Sequence, residues 1–168
     1  HQNPVYVWNN LFHQAYQDDC DYMFQLNDDI LFPKTQWAEA FVNELRSRNP
    51  SNYGVTGYSH EEDDKKKVKV AVPTITQPFV HRTHMENFGS FFPPVFHNWY
   101  SDTFMTYVYS SGGGQKNVFN HPLNKHPVIN TNTLKTRYQP CKVHLSDFKQ
   151  LLRHHFSLVE KWKQILKH

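Results

Sequence analysis

The chain has 168 residues, 38% of them hydrophobic and 15% aromatic, which is enough for one core and excludes disorder as the global state. A net charge of +3, from 18 basic and 15 acidic residues, is too mild to argue for a nucleic-acid partner. No apolar run reaches the ~18 residues of a membrane-spanning helix, and two cysteines, Cys20 and Cys141, exclude a disulfide-dense scaffold or a Cys-based zinc finger. One disulfide between them stays open, and with it the redox compartment.

No basic-then-apolar leader opens the sequence, and a start at His1 rather than Met reads as that of a fragment or processed product. Residues 6–17 place Trp8, Leu11, Phe12 and Ala15 at helical spacing. The run Asp18-Asp19-Cys20-Asp21 breaks that helix, and Tyr22-Met23-Phe24-Gln25-Leu26 reads as a short buried strand. A second helix is expected over 34–48, with Trp37, Phe41 and Leu45 on one face, ended by the turn residues 49–52. Short strands follow at 53–57, 68–72 and 75–81, with the charge run HEEDDKKK at 60–67 as a solvated loop.

Thr83 and Glu86 have the spacing of a capping box, and with Gly89 they frame a short helix over 84–88. Residues 91–100 form an aromatic, proline-rich loop, after which Ser101-Asp102 cap a helix to about residue 110. Gly112-Gly113-Gly114 lacks the context of a phosphate-binding loop and suits a mobile loop. Extended pieces are expected at 116–119, 127–130 and 141–145. From Ser146 the clearest helix presents Phe148, Leu151, Leu152, His155, Val159, Trp162, Ile165 and Leu166 on one side. Lys149, Arg153, Lys161, Lys163 and Lys167 lie opposite, as a wet basic face or a contact for an anionic membrane surface. Alternating helices and strands argue for an α/β layered domain with a mostly parallel sheet.

The strongest chemical signal is Asp21-Tyr22-Met23-Phe24-Gln25-Leu26-Asn27-Asp28-Asp29. A buried strand ending in acidic residues puts them at the carboxyl edge of the sheet, where ligands of open α/β sheets gather. Asn27 and Asp29 project to the same side of an extended backbone, and Asp29 offers a hard oxygen to a divalent cation. The same residues also suit an ordinary strand-to-helix turn capped by Asp and Asn.

QLNDD after an aromatic strand resembles the DxD motif of nucleotide-sugar-dependent glycosyltransferases of the GT-A fold. Residues 9–29 are similar to the helix and strand leading into that motif. HRTHMENFGSFFP followed by NWYSD resembles the acceptor-side segment, with Asp102 at the acidic position of the xED motif. The resemblance runs over about residues 9–110. It departs at Asn27, which stands where the motif has Asp, and in the absence here of counterparts to the family's N-terminal nucleotide-binding strands.

The resemblance implies one domain over 1–168 of three-layer, Rossmann-related GT-A type: a DxD-side portion at 1–60, an acceptor-side portion at 61–145 and a C-terminal amphipathic helix at 146–168. It implies a metal-dependent transferase moving a sugar from a nucleotide-sugar donor to a hydroxyl of a glycan or glycoconjugate. Asn27, Asp28 and Asp29 would meet the donor, and Asp29 with His126 would hold Mn²⁺ or Mg²⁺, His121 and His144 being alternatives. Asp102 would act as general base in an inverting reaction, and nothing in the residues separates inverting from retaining. Trp99 and Tyr100 would stack on the acceptor sugar, or else form core beneath a loop. His81-Arg82-Thr83-His84 offers donors to phosphate or acceptor, with Arg82 equally suited to a surface ion pair.

Two other classes compete. One is a non-catalytic carbohydrate- or protein-binding module on the same fold. The other is a metal hydrolase, for which His81-x-x-His84 is a poor substitute for the usual ligand spacing. The compartment, Golgi lumen or cytoplasm, depends on sequence upstream.

Overall fold

Pro4 has no amide hydrogen to leave unpaired in a first helical turn, and the Asn3 side chain accepts from the Tyr6 N–H at 3.1 Å. Together they start α1 (Pro4–Gln17) ahead of the first periodic residue. The computed structural model describes residues 3–27, 30–31, 36–59, 74–98, 100–111, 118–120, 129–130 and 145–165. After α1 come β1 (Tyr22–Phe24), β2 (Ile30–Leu31), α2 (Trp37–Arg46), β3 (Val55–Ser59) and β4 (Ile75–His81). α3 (Thr83–Phe88), α4 (Ser101–Ser111), β5 (Val118–Asn120), β6 (Ile129–Asn130) and α5 (Leu145–Ile165) complete the order.

The α/β class therefore stands, with a sheet of order β1-β4-β3-β5 and a separate antiparallel pair β2-β6. The mostly parallel sheet does not. β1 and β3 both pair antiparallel with β4, and only β3 with β5 is parallel. Parallel neighbours need a crossover long and apolar enough to cover a sheet face. The sequence between β3 and β4 carries HEEDDKKK instead, which offers no such cover. The expected strand at 68–72, the Gly112–Gly114 break and the piece at 141–144 lie outside the described residues.

Neighbouring strand residues point to opposite faces, and each face has its own apolar cluster. Phe79, Tyr58 and the partly buried Tyr22 and Phe24 pack against Phe41 and Leu45 of α2. Met23, Val55 and Val80 face a larger cluster with Phe12 of α1, Met85 of α3 and Phe104, Met105 and Val108 of α4. α5 adds Phe148, Leu151, Leu152 and Phe156 from its apolar side, while Lys149, Arg153 and Lys161 are exposed on the other.

The aromatic segment after α3 is a loop, as expected, and its phenylalanines belong to the core while Pro94, Val95 and His97 are exposed. Phe91, Phe92 and Phe96 are fully buried, and Phe12 stacks on Phe91 at 3.7 Å between ring centres. The amide of Asn9 fixes the segment by both ends, donating to the Phe92 carbonyl at 2.8 Å and accepting from its N–H at 2.9 Å. Val5 N–H donates to the His97 carbonyl at 3.2 Å and ties the start of α1 to the residues leading into α4.

The capping box at Thr83 does not form. Arg82 takes the cap position, Thr83 is the first helical residue, and its hydroxyl donates to the Asn52 carbonyl at 3.0 Å. The expected end is correct: Gly89 closes α3 in the left-handed region at φ 70°, which only a glycine adopts without cost. Cys20 is exposed, and Cys141 is outside the described residues.

Candidate functional site

The backbone ladder between β1 and β4 continues one residue past β1, where the Gln25 N–H donates to the Pro78 carbonyl at 3.0 Å. Beyond that point side chains take over from backbone. Gln25 Nε2 donates to Asn27 Oδ1 at 3.0 Å, and the Asn27 N–H donates to Gln77 Oε1 at 3.2 Å. Gln25 and Gln77 are each only 3% exposed. Two buried amides at the rim of an aromatic core are held there by the hydrogen bonds that offset their desolvation.

The same end of β4 also holds the second predicted segment. Its first residue, Ile75, donates its N–H to Thr106 Oγ1 at 2.9 Å, and that hydroxyl donates in turn to the Asp102 carbonyl at 3.0 Å. Asp102 is half-buried in the first turn of α4, and its Oδ1 accepts from the Thr103 N–H at 2.6 Å. Carboxylates suit a helix start because unpaired N–H groups and the helix dipole favour negative charge there. Asn27 and Thr106, the latter one turn along α4 from Asp102, thus bond to Gln77 and Ile75, which lie two positions apart on one strand.

Gly57 makes this end of the sheet possible. A Cβ at that position, with φ 149°, would collide with the Gln77 carbonyl oxygen. A side chain there would push β3 away from β4 where Gln77 has to sit. An apolar cleft of about 350 Å³ runs between α1 and β1, lined by Trp8, Leu11, Phe12, Met23, Gln25 and Leu26, and ends beside the residues preceding Asn27.

The other predicted residues divide sharply. Asp28, Asp29, Trp99, His121, His126 and His144 lie outside the described residues. Tyr100 is 45% exposed at φ 72°, with its ring edge-on to Phe148 at 6.4 Å. Among the described residues no group of three His, Cys, Asp or Glu side chains is placed to hold a metal ion.

His81-Arg82-Thr83-His84 is at the opposite end of β4 from Gln77, and strand geometry puts Ile75 and His81 about 20 Å apart. Arg82 pairs with Asp19 at 3.2 Å and Glu86 at 3.5 Å and lies over the Tyr16 ring at 4.9 Å, so the surface ion pair is what forms. His81 accepts from the Thr83 N–H at 3.2 Å, and burial lowers its pKa.

His84 is buried in the core. Its Nε2 meets the Phe91 carbonyl at 2.9 Å and its Nδ1 the Tyr109 hydroxyl at 2.7 Å. A carbonyl only accepts, so Nε2 carries the proton and the Tyr109 O–H donates to Nδ1. Burial pushes the His84 pKa down to about 4, with His155 nearby acting in the same direction and the Phe91 bond opposing. These side chains bond within the fold.

Sequence reasoning missed Gln25, Gln77 and Thr106. A polar residue inside a strand that is otherwise aromatic was the available signal. No protein-family model, curated protein or solved structure matches the chain.

Proposed function

We propose that this chain is the cation- and acceptor-side part of a GT-A-type glycosyltransferase, moving a sugar from a nucleotide-sugar donor to a hydroxyl of a glycan or glycoconjugate. The observation that carries the reading is the shared anchorage of Asn27 and Asp102 at the Gln77–Ile75 end of β4. Two segments that resemble the donor and acceptor motifs meet one strand end, as a two-substrate site requires.

In this reading Asn27, Asp28 and Asp29 face the donor diphosphate. The oxygen donors of Asp29, with an imidazole from His126, suit a hard divalent ion such as Mn²⁺ or Mg²⁺. When bound, that ion supplies neutralisation of the charge on the departing diphosphate. Asp102 accepts the proton of the acceptor hydroxyl as its oxygen bonds to the anomeric carbon and the carbon–phosphate-oxygen bond breaks. The Thr103 N–H donates to Asp102 Oδ1 at 2.6 Å and holds the carboxylate at the helix start. Tyr100, with half its ring exposed beside Asp102, is the platform for the acceptor sugar.

Titration calorimetry with uridine and guanosine diphosphates, with Mn²⁺ or with chelator, tests the reading. Binding should need the cation, and Asp29→Ala should weaken it at least about tenfold. Equal binding in chelator removes the cation from the site. Glycan binding without cation or nucleotide, together with no donor hydrolysis, would instead make the chain a carbohydrate-binding module.

A further inference from the structure

β1 ends the sheet on one side, and no described strand lies beyond it. The Arg82 N–H donates to the Asp21 carbonyl at 2.7 Å, and the Gln25 N–H to the Pro78 carbonyl at 3.0 Å. Antiparallel pairing alternates along a strand, so Asp21, Met23 and Gln25 direct their backbone groups to β4, and Tyr22 directs its N–H and C=O outward. Sheet edges are ordinarily blunted by a charge, a proline or a bulge, and Tyr22-Met23-Phe24 carries none of these.

The outer edge opens into the cleft of about 350 Å³ between α1 and β1. Tyr22 and Phe24 pack toward α2 and Met23 toward α1, yet all three line the cleft, together with Gln25 and Leu26. A groove that touches five successive residues of alternating direction runs along the backbone rather than over one face of the sheet. Its far wall is one face of α1, the apolar Trp8, Leu11, Phe12 and Ala15. Leu11 is 63% exposed, and Val7, one turn before it, is 54% exposed.

Those two walls define an occupant. A backbone edge is satisfied by another extended backbone, whose alternate side chains then fall against the apolar face of α1. Charge narrows the choice. Residues 1–27 include Asp18, Asp19 and Asp21 and no Glu, Lys or Arg. Arg82 takes up Asp19, while Asp18 and Asp21 stay exposed at the turn joining α1 to β1. A second copy of β1 would bring no cation to that turn, since no Lys or Arg flanks the strand in the chain.

We propose that the α1–β1 cleft is a docking site for an extended partner peptide of alternating apolar residues flanked by Lys or Arg, which joins the sheet as a strand beside β1. None of the residues assigned a role in sugar transfer lines the cleft, so this surface stands apart from that function.

The test uses the whole chain and fluorescein-labelled peptides in which Val, Leu or Phe alternates with Thr between paired terminal lysines. Fluorescence anisotropy should show saturable binding, and Leu11→Glu, at an exposed position, should weaken it at least about tenfold. Asp18→Asn combined with Asp21→Asn should weaken it about threefold and remove most of its salt dependence. Peptides N-methylated at alternate backbone nitrogens, made in both phases, should bind in one phase only, because one edge of the added strand faces β1. Hydrogen exchange at the Tyr22 amide should slow about tenfold in the complex. Absence of binding by every peptide overturns the proposal. So does equal affinity in both methylated phases, which marks a contact through side chains alone, or equal affinity for peptides ended by aspartate. If Leu11→Glu lowers the urea midpoint, the two methylated phases decide by themselves. Sedimentation showing the chain to be a dimer that Leu11→Glu dissociates would give the cleft to a second copy, and that too overturns the proposal.

Discussion

Among the described residues, the two ends of β4 use their polar side chains in different ways. At the His81 end every hydrogen-bonding side chain serves the fold: Arg82 is paired with Asp19 and Glu86, Thr83 is bonded to Asn52, and His84 is buried between Tyr109 and Phe91. At the Ile75 end Gln77 and Thr106 are spent on holding Asn27 and Asp102, which are partly or wholly exposed. At the His81 end the titratable side chains of Arg82 and His84 are thus taken up by the fold, whereas at the Ile75 end a buried amide and a hydroxyl bond to the segments that carry Asn27 and Asp102.

The comparison breaks most visibly at Gly57, where Gly57→Ala should destabilise by about 4 kcal/mol, strain and overpacking together, in urea unfolding. A loss below about 1 kcal/mol would mean that β3 does not confine Gln77 at all.

Acid should act next, and at the other end of the strand. The His84 pKa is lowered to about 4 in the folded protein, so the unfolded chain takes up the proton first. Stability falls as pH drops through about 6.5 toward 4 and levels off below, for a total of roughly 3 kcal/mol at this one group. Urea unfolding at pH 7 and 4.5 measures it, and His84→Phe should flatten that slope while leaving nucleotide binding intact. A change in nucleotide affinity on His84→Phe would put the two ends in one site after all.

Thr106→Val sharpens the picture at the Ile75 end. It removes the acceptor for a buried N–H and should cost about 1–3 kcal/mol, with Thr106→Ser nearly neutral. Under the proposed function, donor turnover should fall further than nucleotide affinity, because Thr106 bonds to the α4 segment that carries Asp102. Arg82→Ala should do least. Nucleotide affinity should stay within about twofold of wild type, since exposed ion pairs contribute little. A large loss there would restore the phosphate-donor role considered for Arg82.

The places where expectation and structure part follow from the range of the forces involved. α1, α2 and α5 were legible because an apolar stripe at helical spacing is written within each segment, and β4 because its run is bounded and rich in strand formers. The capping box at Thr83 was not, because Asn52, 31 residues away in the chain, offers that hydroxyl a different partner. No descriptor of the segment 91–96 alone marks Phe91, Phe92 and Phe96 as core, since Phe12 and Asn9 of α1 bury and fasten it. Of the candidate site, Asn27 and Asp102 were readable as residue types after a strand and before a helix, whereas Gln77 and Thr106 look like ordinary strand and helix residues until their partners are known.

By itself the sequence determined that α1, α2, α5 and β4 form and which of their sides are apolar, because those preferences are set by neighbours three or four positions away, or two. Tertiary structure alone decided that β4 runs antiparallel to both its neighbours, and that the Asn27 and Asp102 segments share its first residues while His84 is sealed at its last. Strand direction, burial and the partner of a hydroxyl depend on groups brought together only when the whole sheet closes, and no local pattern encodes them.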